Sequence, residues 1–140
     1  MKVLYRQNGR TMIRFDIGEE FPGALAEWCK GEDINSAAIL CGIGMLKNTE
    51  IGRYDGESYN REKVPGPSEV LSLQGNVSLK EGEPFVHLHV SLADDELNAR
   101  GGHLFFGTVA MTVELVMLEL GTDLVRLPSG GDFWQLDTGG

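Results

Sequence analysis

Cysteine is scarce in this chain, with Cys29 and Cys41 the only two among 140 residues. They fall in segments that read as a helix and a buried strand, which suits free thiols packed as small apolar groups and argues against a disulfide framework. A reducing cytoplasm is the expected compartment. Positive charge is also short: 12 Lys and Arg stand against 21 Asp and Glu, for a formal net charge of −9. Nucleic-acid affinity rests largely on cations that displace counterions. Here they are scattered singly or in short groups such as Arg61 to Lys63, with no basic run and no interleaved aromatics. Direct nucleic-acid binding and attachment to anionic membranes are both disfavoured. The start, Met1-Lys2-Val3-Leu4-Tyr5-Arg6, lacks the apolar core of a signal peptide, and no window approaches the ~18 apolar residues of a membrane span. The chain therefore reads as soluble and unprocessed. It has no internal repeat, low-complexity segment or linker, and its length and 41% hydrophobic content suit one domain over residues 1–140.

What is present is mostly alternation. Ile13, Phe15 and Ile17 alternate with polar neighbours, the period of a strand with one buried face. Gly18-Glu19-Glu20 then opens a predicted helix, with Pro22 in its first turn, Phe21, Leu25, Trp28 and Cys29 on one face, and Gly31 as its stop. Ala37 to Leu46 reads as a buried strand in which Gly42 and Gly44 mark a bulge or a close backbone approach. The polar passage that follows, ending in Val64-Pro65-Gly66-Pro67, is the expected long loop. Leu71, Leu73, Gly75, Val77 and Leu79 mark another strand, and Glu81-Gly82-Glu83-Pro84 turns the chain. The run from Leu104 to Leu120 contains Thr108, Thr112, Glu114 and Glu119, and its Val, Thr and Phe content favours one long or two consecutive strands over a membrane helix. Phe133 to Leu136 is read as a short final strand. The whole reads as a single α+β domain.

The segment Phe85 to Leu92 carries the chemistry. Val86, Leu88, Val90 and Leu92 share one face; Phe85, His87, His89 and Ser91 share the other. Residues i and i+2 of a strand lie about 6.5 to 7 Å apart on one face, so two imidazoles of a His-x-His pair can converge on one ion. The third histidine of the chain, His103, follows the acidic turn Asp94-Asp95-Glu96 and the pair Gly101-Gly102, which allow a neighbouring antiparallel strand to come close. Imidazole nitrogen suits zinc, copper, nickel or iron, and three neutral histidines leave a fourth position for water, ligand or a carboxylate. The bland alternative is three polar residues on the solvent face of a hairpin. A cupin also uses a His-x-His strand, but this chain has Asp94-Asp95 where the cupin Glu would fall and lacks the second cupin motif.

Several pieces, in order, resemble the plant and prokaryote conserved (PPC) domain, which accompanies AT-hook segments in plant nuclear proteins and stands alone in prokaryotes. They are Gly18-Glu19-Glu20, Gly42-Ile43-Gly44-Met45-Leu46, Glu69 to Asn76, His87 to Asp94, Gly101-Gly102-His103-Leu104, Gly107-Thr108-Val109 and Val113-Glu114, together spanning about Met12 to Leu120. The resemblance implies a mixed, largely antiparallel sheet flanked by a few helices, a homotrimer, and a metal site at His87, His89 and His103, with zinc the leading candidate. The plant Arg-Gly-Arg-Pro segment is missing, which weakens any DNA-associated role.

Glu69 and Glu114 are candidates for a fourth ligand or a general acid or base, but solvation or an ion pair with Arg53, Arg100 or Arg126 is the favoured reading. No Ser-His-Asp or Cys-His arrangement is available, since the three histidines are already assigned. Two functions remain in view. One is a metal-binding, trimeric regulatory or ligand-binding module, with DNA association only through the family. The other is a zinc-dependent enzyme on a small carbonyl or hydroxy-acid substrate, by analogy with acetolactate decarboxylase, whose zinc also sits on a His-x-His pair and a later His.

Overall fold

Period-two alternation dominates the sequence, and strands dominate the fold. The computed structural model describes all 140 residues. Its elements are β1 (Lys2–Gln7), β2 (Arg10–Asp16), β3 (Glu20–Phe21), α1 (Gly23–Gly31), β4 (Ala37–Tyr54), β5 (Tyr59–Val64), β6 (Ser68–Lys80), β7 (Glu83–Ala93), β8 (Ala99–Glu119), β9 (Leu124–Pro128) and β10 (Trp134–Thr138). All ten strands belong to one sheet, and every pairing is antiparallel except β6 with β9, at Leu79 opposite Val125 and Lys80 opposite Arg126. The sheet is thus mixed and largely antiparallel. A few flanking helices were expected; the structure has one, and the domain is largely β.

The missing helical turn has a local cause. Gly18 donates its N–H to the Val109 carbonyl, and Val109 donates back to Glu19, both at 2.9 Å, so the acids lie along the edge of β8 as β3. The helix starts only at Gly23, where the Pro22 carbonyl accepts from Leu25 and Ala26. It rests on β7, and its Leu25 and Cys29 join Val86 and Leu88 in one apolar cluster of 23 buried residues. Burial pushes the Cys29 thiol up to about 12, so it stays protonated and inert. Cys41, read as buried, is exposed on β4.

The expected long loop is also corrected. β4 runs on to Tyr54 and pairs with β5 from Thr49 opposite Val64 to Tyr54 opposite Tyr59. Alternation survives there in Leu46, Thr49 and Ile51, all buried, but a residue with positive φ at Asn48 shifts its phase. The turn between the strands is tied by Asp55, whose carboxylate accepts the backbone N–H groups of Glu57 and Ser58 at 3.0 Å each and is held below the usual carboxylate range by them. The long apolar run is one strand, β8, which pairs with β2, β3, β4 and β7.

The pairings β4 with β6, β6 with β7, β7 with β8 and β8 with β4 close a ring. Such closure bends long strands tightly, and glycines sit where backbones touch. Gly44 has φ +142 at an irregularity in the β4–β8 register, and a Cβ there would stand 2.1 Å from the Thr112 carbonyl oxygen. At Gly75 on β6 a Cβ would stand 1.9 Å from the His87 carbonyl oxygen. Gly75→Ala is expected to cost about 1–3 kcal/mol of stability through overpacking and so to lower the urea midpoint. Gly23→Ala, which meets nothing within 4 Å, should leave it unchanged. Equal midpoints for the two variants would show that β6 and β7 separate without cost.

Candidate metal centre

The ring closure at β7 and β8 brings the histidines together. On β7 the even-numbered Val86, Leu88, Val90 and Leu92 are buried in the core, leaving His87 half-buried and His89 exposed on the opposite face. His103, buried on β8, is the register partner of His89. Close approach makes this register possible: a Cβ on Gly101 would stand 2.4 Å from the Val90 carbonyl oxygen, and one on Gly102 would stand 2.6 Å from that of Gly52. β8 is thereby pressed between β7 and β4 at the point where His103 leaves it.

The imidazole centroids are 5.3 Å apart for His87 and His89, 4.7 Å for His87 and His103, and 5.8 Å for His89 and His103. One ligand nitrogen from each of the three residues lies within 4.8 Å of the other two. Three nitrogens on a tetrahedral ion at ~2.0–2.1 Å stand roughly 3.4 Å apart, so modest ring rotations bring them onto one centre. His103 Nδ1 is buried with no hydrogen-bond partner. An unpaired buried ring nitrogen is costly, and a cation on its lone pair would satisfy it. The donor set and this orphaned atom both fit a divalent transition metal.

Electrostatics keep the donors ready. Burial pushes His87 down to about 3, helped by Arg126 and the neighbouring His103 and His89. Burial also pushes His103 down to about 4, helped by His89, Arg61 and Arg126. Both rings are therefore neutral at pH 7, the form that coordinates a metal. Tyr59 and Phe105 wall His103 at centroid distances of 5.0 and 4.4 Å.

His87 and His103 also border a cavity of about 630 Å³. Its other walls include Tyr59, Arg61, Lys80, Phe85, Arg126 and Trp134. Arg126 is buried, its guanidinium donating to Ser78 Oγ (3.3 Å), the Trp134 carbonyl (3.0 Å) and Asn76 Oδ1 (2.8 Å). Tyr59 and Arg61 belong to the stretch expected to be a loop, and for Arg126 the sequence suggests only an ion-pair role. The sole sequence signal for Arg126 is a lone charge between Val125 and Leu127.

Glu69 and Glu114 belong to neither the cluster nor the cavity. Glu69 is exposed and Glu114 half-buried, and neither forms an ion pair. Arg100 pairs instead with Glu62 at 2.8 Å and Asp94 at 3.8 Å. The solvated reading of Glu69 therefore holds, and the ion pairs weighed for these two acids do not form.

No protein of curated function matches the sequence. Among solved structures, a PPC protein from Pyrococcus horikoshii is 39% identical, with 90% of each chain covered and a TM-score of 0.81. A protein from Archaeoglobus fulgidus described as metal-containing is 32% identical over 96% of this chain and 99% of its own, with a TM-score of 0.81. A Ralstonia eutropha protein named as a candidate DNA-binding protein is 22% identical over 95% of this chain and 94% of its own, with a TM-score of 0.86, a likeness that shows the fold alone. The family model of the Plants and Prokaryotes Conserved (PCC) domain matches residues 5–121, the span that holds the entire closed ring and all three histidines. The chain belongs to the Plants and Prokaryotes Conserved domain family.

Proposed function

We propose that this domain binds one divalent transition metal, zinc in the first place, through His87, His89 and His103, and serves as a trimeric regulatory or ligand-binding module. The convergence of the three ligand nitrogens within 4.8 Å carries this reading. The Archaeoglobus relative described as metal-containing supports it. A zinc enzyme is the weaker reading, because the carboxylates considered as its acid or base, Glu69 and Glu114, stand away from the cavity. Direct nucleic-acid binding is no part of the proposal. The net charge is −9, and Arg61, Lys80 and Arg126 turn toward the cavity rather than forming a basic stripe.

Elemental analysis of the purified protein should give about one ion per chain. His89→Ala and His103→Ala should each lower metal affinity by roughly 100-fold or more, given that losing mere outer-shell partners costs 10–100-fold. Protein that carries no metal, and takes up none on incubation with zinc, would end this reading.

The metal-free protein should also weaken in mild acid. The folded values of about 3 for His87 and about 4 for His103 lie below the ordinary 6.5, so below pH 6.5 the unfolded chain binds more protons than the folded one. The associated stability is fully present above pH 6.5 and is lost as pH falls toward 4 and 3. Urea midpoints of metal-free protein should fall between pH 7 and pH 4.5, with a smaller fall in His87→Gln. A slope that His87→Gln leaves unaltered would place the titration elsewhere.

Self-association draws support from apolar residues left exposed on neighbouring strands: Leu40 (51%) and Ile43 (58%) on β4, Leu71 (53%) on β6 and Met111 (65%) on β8. Apolar groups gathered on one region of a surface mark an interaction face. Sedimentation equilibrium should return the mass of three chains, and Ile43→Glu with Leu71→Glu should return the mass of one. A monomeric wild type would remove the trimer from the proposal.

A further inference from the structure

We propose that the cavity beside the histidines is a binding site for a small organic carboxylate with a flat apolar body, its carboxylate held by Arg126 and Lys80. The inference rests on the reading of the domain as a ligand-binding module and names the ligand's class; it does not depend on which metal is bound.

The observation behind it is a buried charge without a counter-charge. Arg126 is 7% exposed, and its three partners, Ser78, Asn76 and the Trp134 carbonyl, are all neutral. A guanidinium carries five N–H donors, two each on Nη1 and Nη2. Only one bond leaves Nη1 and one leaves Nη2 here, so each keeps a free N–H. Both lie in the guanidinium plane, where N–H groups donate to carboxylate oxygens. Exposed cations need no partner, but a buried one is costly unless an anion offsets it.

A second cation makes the imbalance larger. Lys80 is the register partner of Arg126 across β6 and β9, and it forms no ion pair. Like charges opposite one another on adjacent strands repel. The other cations either pair with an acid, as Arg6 with Glu32, Lys30 with Glu83 and Arg100 with Glu62, or lie exposed to water without one, as Lys2, Arg10, Lys47, Arg53 and Lys63 do. Arg61, the remaining cation of the cavity, is partly matched by Glu50 at 3.5 Å. The cavity's two acids, Glu20 and Asp132, are exposed, and neither pairs with its cations. A chain of net charge −9 thus keeps two adjacent, unmatched cations in one concave site.

The walls define the rest of the ligand. Lys80 Nζ lies 4.1 Å from the Trp134 ring centroid and 5.3 Å from that of Phe85, so the ammonium is held between aromatic faces. Phe133 and Phe105 add further apolar surface. An inorganic ion would leave these rings in contact with water, whereas a flat organic body would cover them. The volume of about 630 Å³ admits a ring system with a short chain.

The test uses benzoate as probe, with its neutral amide, benzamide, and inorganic phosphate as controls. Binding is followed by the shift of the Trp134 indole N–H in NMR titrations of the full-length protein, metal-loaded and chelator-treated, with metal content measured in parallel. Benzoate should bind saturably, and benzamide should bind at least about tenfold more weakly. Lys80→Gln should weaken benzoate about tenfold without changing metal content. Arg126→Gln should abolish binding, and Lys80→Gln keeps the test valid if Arg126→Gln does not fold. Benzoate binding by protein that takes up no metal would sustain this proposal while the metal reading failed. Stoichiometric metal with no benzoate shift would overturn the proposal and leave the metal reading standing. Equal binding of benzoate and benzamide, indifference to Lys80→Gln, or phosphate binding as tight as benzoate would each overturn it.

Discussion

The pairing of β7 with β8, with His89 opposite His103, is the contact on which the rest of the arrangement depends. It is the pairing that turns a row of antiparallel strands into a ring, because β7 is already bound to β6 on its other edge and β8 to β4. A one-residue slip would turn every side chain of β7 to the wrong face, sending His87 and His89 into the core and Leu88 and Val90 into water. The apolar set Val86, Leu88, Val90 and Leu92 therefore fixes the position of the histidines as firmly as any contact the rings make themselves. Hydrophobic burial sets the register, and the register sets the site.

Closure also explains why the cluster is dry enough to matter. His103 is pressed between Phe105, two residues along its own strand β8, and Tyr59 of β5, which pairs with β4 beside it. Water exclusion depresses the proton affinity of His87 and His103, and the nearby guanidiniums act in the same direction. Positive neighbours would ordinarily weaken a cation site. They also assist burial, the leading cause, in keeping the His87 and His103 rings unprotonated, the form that coordinates a metal.

How much of this was legible varies with the kind of interaction. The two faces of β7, the turn at Glu81-Gly82, the bend at Gly44 and the close approach at Gly101-Gly102 could all be read, because each rests on local periodicity or on a single residue's sterics. The hairpin of β1 and β2 is absent from that reading although its sign is equally local: Asn8 and Gly9 both have positive φ, and Asn-Gly is the strongest short-range hairpin signal. The helix expected at Gly18 was lost to a tertiary effect, the capture of Gly18 and Glu19 by the edge of β8. The hairpin of β4 and β5 was hidden because its buried positions are few, one of them is Thr49, and a bulge breaks its phase. Arg126 illustrates the limit: it reaches the site through the one parallel pairing in the sheet, between segments some 46 residues apart, which no local pattern encodes.

The division between legible and hidden residues follows their roles in the site. The histidines sit on a strand whose alternation is strict, so their shared face is a property of the sequence. The cations sit on β5, β6 and β9, and are brought together by pairings between segments distant in sequence. This separation matters for how such a domain can vary. Changing Lys80, Arg61 or Arg126 alters what the cavity attracts without touching the β7–β8 register, whereas changing Gly75 or Gly101 shifts the backbone under His87 and His103 together. A metal position fixed by backbone closure, beside a pocket lined from independent strands, lets one scaffold keep its ion while the chemistry of its ligand changes.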